Sequence, residues 1–169
     1  MGLCLSCAIY LSLRNKDSNI PLFDLKDKKF QAKVVDIYDG DTCHVVILFN
    51  MKWTKFKIRC LGYDTPEMKP PKDAKNRESL IDKAIKSRNY FLSRVTNCEI
   101  DINTHYTKKE VKQILLNNTK TIKLNCHGWD KYGRVLGKIY VNGTDINQEM
   151  IDKGYGYEYD GGTKKEFTI

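Results

Sequence analysis

Hydrophobic and polar residues alternate along several short stretches of the chain, and this period of two is typical of β-strands with one buried face. Residues 34–38 and 42–49 are rich in β-branched and aromatic side chains, and an Asp-Gly turn signal lies between them, so a hairpin is predicted. Apolar and basic residues also alternate over 53–61, which predicts a third strand. In that alternation Arg59 falls on the basic side and is predicted to point away from the core.

The rest of the pattern predicts helices packed on these strands. Apolar residues recur at helical spacing over 79–95, and Thr107 with Glu110 forms a capping box that opens a second, short helix. A third helix is predicted to begin near Asp145. Further strands are predicted at 98–102, 121–126 and 135–141. Together these elements predict an α+β, mainly β fold: a five-stranded barrel of the oligonucleotide/oligosaccharide-binding (OB) type with two to three helices.

The length of 169 residues suits one domain with terminal appendages. We assign residues 1–16 to an N-terminal lipid-anchor segment, 17–31 to a linker, 32–160 to the folded domain and 161–169 to a C-terminal tail. Lys and Arg total 29 against 21 Asp and Glu, a net charge of +8 that would attract a polyanion. Charge alone permits nucleic-acid binding and does not establish it, because many basic proteins bind none.

The N-terminus has the pattern of a lipid anchor. Gly2 followed by Ser6 fits N-myristoylation, and Cys4 and Cys7 are thiols close enough to accept palmitate as a second signal. The apolar run 3–13 is shorter than the ~20 residues that a spanning helix needs. A secretory signal and an unmodified tail remain alternatives, although no basic residue precedes the run. Acylation would put the protein on the cytoplasmic face of a membrane.

The cysteines indicate a reducing compartment. Four of them sit singly inside apolar, strand-like runs, as reduced core cysteines do: Cys43, Cys60, Cys98 and Cys126. The one Cys-x-x-Cys pair has no second pair, and the chain has three histidines, so a structural zinc site is not expected.

Five polar residues are candidates for phosphodiester chemistry, which needs a positioned water and positive charge on the phosphate oxygens. Asp41 and Asp64 follow separate strands, and their carboxylates favour calcium or magnesium over zinc. Glu67 could act on the water, while Arg59 and Arg134 could hold the phosphate through planar, paired donors. Each motif taken alone also reads as an ordinary turn or loop.

Three segments taken together resemble the signature segments of the staphylococcal nuclease (thermonuclease) family. They are residues 37–42 (IYDGDT), 58–67 (IRCLGYDTPE) and 130–134 (DKYGR). The resemblance covers roughly residues 32–158. It implies a five-stranded barrel and a calcium-dependent nuclease that cuts DNA and RNA with little sequence preference. Calcium is thus the expected metal, and magnesium is the less favoured alternative.

The resemblance also implies a role for individual residues. Metal ligands would be the carboxylates of Asp41 and Asp64 and the backbone carbonyl of Thr65. Glu67 would be the general base, Arg59 and Arg134 would neutralise the phosphate, and Lys131, Tyr132 and Lys72 would contact the substrate. Residues 103–120 depart from the family pattern as an insertion. A non-catalytic nucleic-acid-binding or scaffold module on the same barrel is the main alternative, a lipid-anchored adaptor is a further one, and we expect a monomer.

Overall fold

The computed structural model describes residues 5–74 and 76–163. Its helices are α1 Leu5–Leu13, α2 Arg77–Val95, α3 Lys108–Asn118 and α4 Ile146–Asp152. Its strands are β1 Lys29–Ile37, β2 Thr42–Phe49, β3 Lys52–Cys60, β4 Gly62–Asp64, β5 Thr121–Trp129, β6 Val135–Val141, β7 Thr144–Asp145 and β8 Tyr157–Tyr159. None of these helices is long and apolar enough to cross a membrane.

Five strands close into a barrel, which confirms the predicted α+β, OB-type architecture. The order is β3-β2-β1-β5-β6, and a parallel pairing of β3 with β6 joins the two ends of the sheet. All other neighbours in the barrel are antiparallel. The parallel seam sets Arg59 opposite Leu136 and Ile58 opposite Val135, so the end of β3 lies beside the start of β6.

The alternation of apolar and polar residues in the sequence matches the alternation of inward-facing and outward-facing side chains in the barrel wall. Val45, Ile58 and Ile139 are fully buried in the interior, and their neighbours along each strand are more exposed. The predicted hairpin joins β1 to β2, and the run 53–61 forms β3 with Phe56 against Val45. Because each strand buries one face only, sequence periodicity was sufficient to locate these elements.

Three helices close the domain around the barrel. α2 buries Ala84, Phe91 and Leu92 on the core. The predicted capping box opens α3: Thr107 Oγ1 accepts from the Glu110 amide, and the Glu110 carboxylate accepts from the Thr107 amide. The Asp145 side chain accepts from the amides at the start of α4, as the sequence predicts.

Residues 98–102 were predicted as a strand, and the structure shows none there. The side chain of Asn89 on α2 donates to the carbonyls of Ile102 (3.0 Å) and Thr104 (2.7 Å), and Arg88 donates to that of Tyr106 (2.9 Å). Of the three carbonyls, that of Ile102 lies within the predicted strand, and it is bonded to a helix side chain instead of a neighbouring strand.

The folded part of the chain begins before residue 32. β1 starts at Lys29, and Leu25 is 2% exposed within the core, so about the second half of the segment assigned as a linker belongs to the folded domain. By contrast, α1 buries none of its side chains. Of the three candidate acylation sites, Cys7 lies on α1 and is exposed, and Gly2 and Cys4 lie outside the described residues.

The cysteines agree with the sequence-based expectation. Cys43, Cys60 and Cys126 are buried and Cys98 is partly buried, and no disulfide joins cysteines of the described residues. Their alternating positions on the strands turn the buried thiols inward, where they serve as small apolar side chains.

Candidate active site

A cleft of about 810 Å³ opens at the end of the barrel where β2 begins and β3 ends. The β1–β2 turn, the end of β3, strand β4 and the β5–β6 turn contribute its walls. Seven of the residues predicted from sequence line it: Asp41, Arg59, Asp64, Glu67, Lys131, Tyr132 and Arg134. The structure therefore brings the three signature segments to one place.

Asp41 is held in a fixed orientation by four contacts. Its Oδ1 accepts from Thr42 Oγ1 at 2.9 Å and lies 3.2 Å from Arg59 Nη1. Its Oδ2 accepts from the Thr65 amide at 3.0 Å and from Thr65 Oγ1 at 2.9 Å. Thr65 is itself 2% exposed. It contacts the carboxylate from the buried side and does not line the open cleft.

Arg59 joins the two carboxylates. Its Nη2 donates to Asp64 Oδ1 at 2.7 Å, its Nη1 donates to the Cys60 carbonyl at 3.0 Å, and the residue is 8% exposed. Burial alone would lower the pKa of Arg59, but Asp41 and Asp64 outweigh it and raise the pKa above its ordinary value. Arg59 lies on the face of β3 that points away from the hydrophobic core, as predicted. Its side chain is nevertheless buried, because it contacts Asp41 and Asp64.

Asp39 places a third carboxylate in the same wall of the cleft. The residue is 6% exposed, and its Oδ1 accepts from the Asp41 amide at 3.1 Å. Burial, and then the charges of Asp41 and Glu67, raise the pKa of Asp39 to about 8. The site thus holds more acidic groups than Arg59 neutralises. The Asp-Gly-Asp turn was visible in the sequence, but only the fold shows that both aspartates face one cleft.

The turn itself requires glycine at its centre. A Cβ at Gly40 would collide with Ser87 Oγ on α2 and approach Thr65 Cγ2 to 2.8 Å. The Gly40 carbonyl accepts from Tyr63 Oη at 2.7 Å. The loop that carries Asp39 and Asp41 is therefore packed directly against α2 and β4.

The opposite wall of the cleft is the β5–β6 turn. Asp130 Oδ1 accepts from the amides of Tyr132 (2.9 Å) and Arg134 (2.8 Å), and its Oδ2 accepts from Arg134 Nε at 2.6 Å. The Lys131 ammonium and the Arg134 guanidinium lie 5.2 and 5.4 Å from the centre of the Tyr132 ring, which is 70% exposed. This turn presents two cations and an aromatic face to solvent.

The remaining site residues differ in position. Glu67 is exposed and follows Pro66 on the loop after β4, at the rim of the cleft. Lys72 is exposed and does not line the cleft. Tyr157 on β8 donates to Asp64 Oδ2 at 3.2 Å, a contact for which the sequence held no signal because it depends on the pairing of β8 with β4.

The donor groups of the cleft fit a hard cation better than zinc. Asp41 and Asp64 are separated by one guanidinium, and Thr65 donates its amide and its hydroxyl to Asp41 Oδ2. Burial, and then the negative charges of Asp41 and Glu67, raise the pKa of Asp39, and a cation would relieve the effect of those charges. Among the residues that the structure describes, no three His, Cys, Asp or Glu side chains already form a metal cage.

Comparison with known proteins assigns the family. Residues 57–168 match the family model described as staphylococcal nuclease homologue. That match spans more than half of the chain, so the chain belongs to the staphylococcal nuclease family. The first hairpin with Asp41 precedes the matched residues and is joined to them here by the β2–β3 pairing.

Three relatives illustrate how far the similarity extends. An uncharacterized protein of Methanocaldococcus jannaschii is 29% identical over 138 residues, which are 77% of this chain and 59% of the relative. An uncharacterized protein of Bacillus anthracis is 31% identical over 126 residues, 75% of this chain and 46% of the relative. A protein of Oryza sativa subsp. japonica named probable staphylococcal-like nuclease is 36% identical over 53 residues, 30% of this chain and 16% of the relative. The chain thus spans about half the length of the first two.

Proposed function

We propose that the chain is a calcium-dependent nuclease that hydrolyses phosphodiester bonds of DNA and RNA with little sequence preference. The observation that carries the proposal is the buried Asp41–Arg59–Asp64 arrangement, which opens on one cleft with Glu67 and Arg134. Membership of the staphylococcal nuclease family and the name of the Oryza sativa relative support the reaction class.

The proposed roles of the side chains follow from their positions. Arg134 on the exposed turn and Arg59 on the barrel wall flank the cleft, so a phosphate between them would meet planar guanidinium donors from two directions. Glu67 is the exposed carboxylate at the rim, where it can orient a water and accept its proton. Lys131 and Tyr132 would contact a neighbouring phosphate and its sugar or base.

Calcium, when bound, would supply positive charge to the developing phosphorane oxygens. Asp41 and Asp64 would hold it with the carbonyl of Thr65, since oxygen ligands without histidine favour calcium or magnesium. Calcium is the first choice because the site offers several protein oxygens, whereas magnesium usually retains more of its water.

Cleavage assays on the purified chain test the proposal. We expect single-stranded DNA and RNA to be cut in calcium, to be cut more slowly in magnesium, and to remain intact in a chelator. Glu67→Gln is expected to lower turnover by about 10²- to 10⁴-fold, because the carboxylate that accepts the proton is lost. Glu78→Gln, an exposed change on the first turn of α2, is the matched control and should cut normally.

The same assay separates the nuclease from the non-catalytic alternative. Binding of single-stranded DNA by the wild-type chain without calcium-dependent cleavage would leave a nucleic-acid-binding module and remove the enzyme. Equal turnover of Glu67→Gln and Glu78→Gln would remove the role proposed for Glu67.

A membrane attachment through Gly2, Cys4 and Cys7 is a separate part of the proposal. Its support is the sequence pattern and α1, whose nine residues include no charged and no buried side chain. Myristate on Gly2 alone binds a bilayer weakly, so palmitate on Cys4 or Cys7 would be required for stable attachment. A Gly2→Ala chain should move to the soluble fraction, and its retention in membranes would contradict acylation.

A further inference from the structure

A second concave surface lies beside the cleft, between α3 and the outer face of strands β1, β2 and β3. We call it the α3 groove, and its volume is about 880 Å³. Its floor is apolar, with Val46 and Leu116 beside the ring of Trp53. Trp53 is 76% exposed and Leu116 is 64% exposed, so both present apolar surface to solvent.

The rim of the α3 groove is basic. Four lysines line it and one carboxylate does: Lys33, Lys55, Lys109, Lys112 and Asp36. Lys112 Nζ lies 3.5 Å from that carboxylate, whereas in the described part of the chain neither Lys55 nor Lys109 forms an ion pair. Burial lowers the pKa of His44, Asp36 opposes this effect, and the charges of Lys55, Lys57 and Lys108 add to it. The lysines that line the groove outnumber its carboxylates four to one, so the groove is positively charged overall.

The α3 groove is continuous with the catalytic cleft. On each of three adjacent segments, one residue lines the cleft and the residue two positions away, on the same face, lines the groove. The pairs are Tyr38 directly after β1 and Asp36 on β1, Thr42 and His44 on β2, and Lys57 and Lys55 on β3. The register sets the groove residues Asp36 and His44 opposite each other and sets His44 opposite the cleft residue Lys57, so groove and cleft residues are direct neighbours across the sheet.

Strand β3 carries the side chains that mark the path. Arg59, Lys57, Lys55 and Trp53 follow one another at every second position on its outer face. Six residues of strand span about 20 Å, which corresponds to about six stacked nucleotides, or fewer if the strand is stretched. Cations in sequence with an exposed aromatic ring are the features that bind single strands in a sequence-independent way.

We propose that the α3 groove binds the single-stranded nucleic acid that flanks the phosphate in the cleft, with its backbone on the lysines and a base stacked on Trp53. This inference rests on the proposed nuclease function. A polyanionic strand fits better than an anionic bilayer because the surface is concave and leads directly into the cleft. The groove then determines how long a substrate must be to bind at full strength.

Oligonucleotide binding by the full chain tests the groove, in chelator so that the strand is not cut. Strands of about 3 and about 12 nucleotides are compared, since the short one fills the cleft alone. We expect Lys109→Glu/Lys112→Glu to raise the Kd of the long strand about tenfold. It should also reduce the slope of log Kd against log salt by about 1.4, the value for two lost phosphate contacts on a single strand. Lys153→Glu, an exposed charge reversal away from both surfaces, is the matched control and should bind as wild type.

The chain has two tryptophans, Trp53 and Trp129, so replacing Trp129 leaves the fluorescence of Trp53 as a direct measure of the contact. In a Trp129→Phe background, fluorescence of Trp53 should be quenched by the long strand and not by the short one. Trp53→Ala should weaken binding of the long strand about fivefold or more, which is the effect of losing one stacked base.

Three results would overturn the inference. If the wild-type chain cuts both strands but the groove variants bind the long one normally, the groove does not bind the substrate while the nuclease proposal survives. If the wild-type chain neither binds nor cuts either strand, the nuclease proposal fails first. If the groove variants lose binding to phosphatidylserine vesicles and keep oligonucleotide binding, the groove is a membrane surface.

Discussion

The two walls of the cleft are built differently. The barrel half, formed by Asp39, Asp41, Arg59 and Asp64, is buried, and each carboxylate already has donors that fix its orientation. The turn half, formed by Asp130, Lys131, Tyr132 and Arg134, is a hairpin tip, and its arginine has one carboxylate partner. Each half contributes one arginine. Arg59 bonds two buried carboxylates from different segments, whereas Arg134 bonds one carboxylate of its own turn.

The comparison shows that two arginines of one site can differ in what they contribute to the stability of the fold. Arg59 compensates two buried charges, so removing it affects stability as well as phosphate binding. Arg134 is partly exposed and bonds one carboxylate within its own turn, so we expect its ion pair to contribute about 1 kcal/mol and its removal to affect the proposed turnover more than stability. Substitutions in the two halves should therefore separate stability from turnover.

The largest expected effect comes from the two arginines. Arg59→Ala and Arg134→Ala should each lower kcat by about 10²- to 10³-fold, because each removes a charge donor to the transition state. Arg59→Ala should also lower the free energy of unfolding by about 3 kcal/mol, since two buried carboxylates lose their counter-charge. Arg134→Ala should change stability by less than about 1 kcal/mol. Turnover and urea unfolding of both variants test this.

Arg59→Lys is the matched control for charge. It keeps the positive charge and so should recover most of the stability, but it lacks the planar paired donors and should remain slow. Equal stability of Arg59→Ala and Arg134→Ala would show that the two halves are not distinct in the way described.

Calcium should restore stability to the barrel half selectively. In wild type, calcium at about 100 times its Kd should add about 2.7 kcal/mol to the free energy of unfolding. The gain should be larger in Arg59→Ala, where the ion replaces a missing counter-charge, and equal to wild type in Arg134→Ala. Unfolding curves with calcium and with chelator measure both gains. Asp64→Asn should lose most of the calcium effect, and a gain of wild-type size in that variant would argue against Asp64 as a ligand.

Asp39 makes the barrel half sensitive to pH. Because its pKa is raised from 3.8 to about 8, the folded chain retains a proton that the unfolded chain releases. Its contribution to stability is therefore full below about pH 4 and falls as pH rises toward about 8, by at most about 1.4 kcal/mol per pH unit. Asp39→Asn should flatten this dependence when unfolding is followed in chelator. Asp24→Asn, at an exposed position, should leave the slope unchanged.

Asp130 should show the opposite sign in the turn half, with a smaller effect. Burial alone would raise the pKa of Asp130, but hydrogen bonds from Arg134 and Tyr132 outweigh it and lower the pKa. Its contribution is present above the unfolded pKa of about 3.9 and is lost as pH falls through the folded value. Asp130→Asn should cost about 1 kcal/mol at pH 7, and this cost should shrink as acid protonates Asp130 in the folded chain. A cost that stays constant as the pH falls would exclude the charge as its cause.

The sequence was informative wherever one repeating preference decided the structure. The barrel strands and the caps at Thr107 and Asp145 were predicted because side-chain alternation and capping are local properties. Asp41 and Asp64 could be expected to converge because each follows a strand of one small barrel. The same reasoning predicted a strand at 98–102, where distant side chains of α2 satisfy the backbone instead.

What the sequence could not supply depends on packing between distant elements. Alternation assigns Arg59 to the outer face of β3, but its burial arises from the loops that carry Asp41 and Asp64. The contact of Tyr157 with Asp64 follows from the pairing of β4 with β8. The α3 groove depends on how α3 docks beside β1, a geometry that the helical pattern of residues 108–118 does not encode.

The parallel seam between β3 and β6 has a consequence for the timing of activity in a cell. Arg59 and Arg134 come together only when these strands pair, and the partners of the seam, Ile58 with Val135 and Arg59 with Leu136, are each 77 positions apart in the sequence. During synthesis the ribosome must release β6 before the seam can form, and such distant contacts form late in folding. A nascent chain would carry Asp41, Asp64 and Glu67 long before it carried the completed cleft. For the proposed nuclease, this order makes the competent site one of the last parts of the barrel to form.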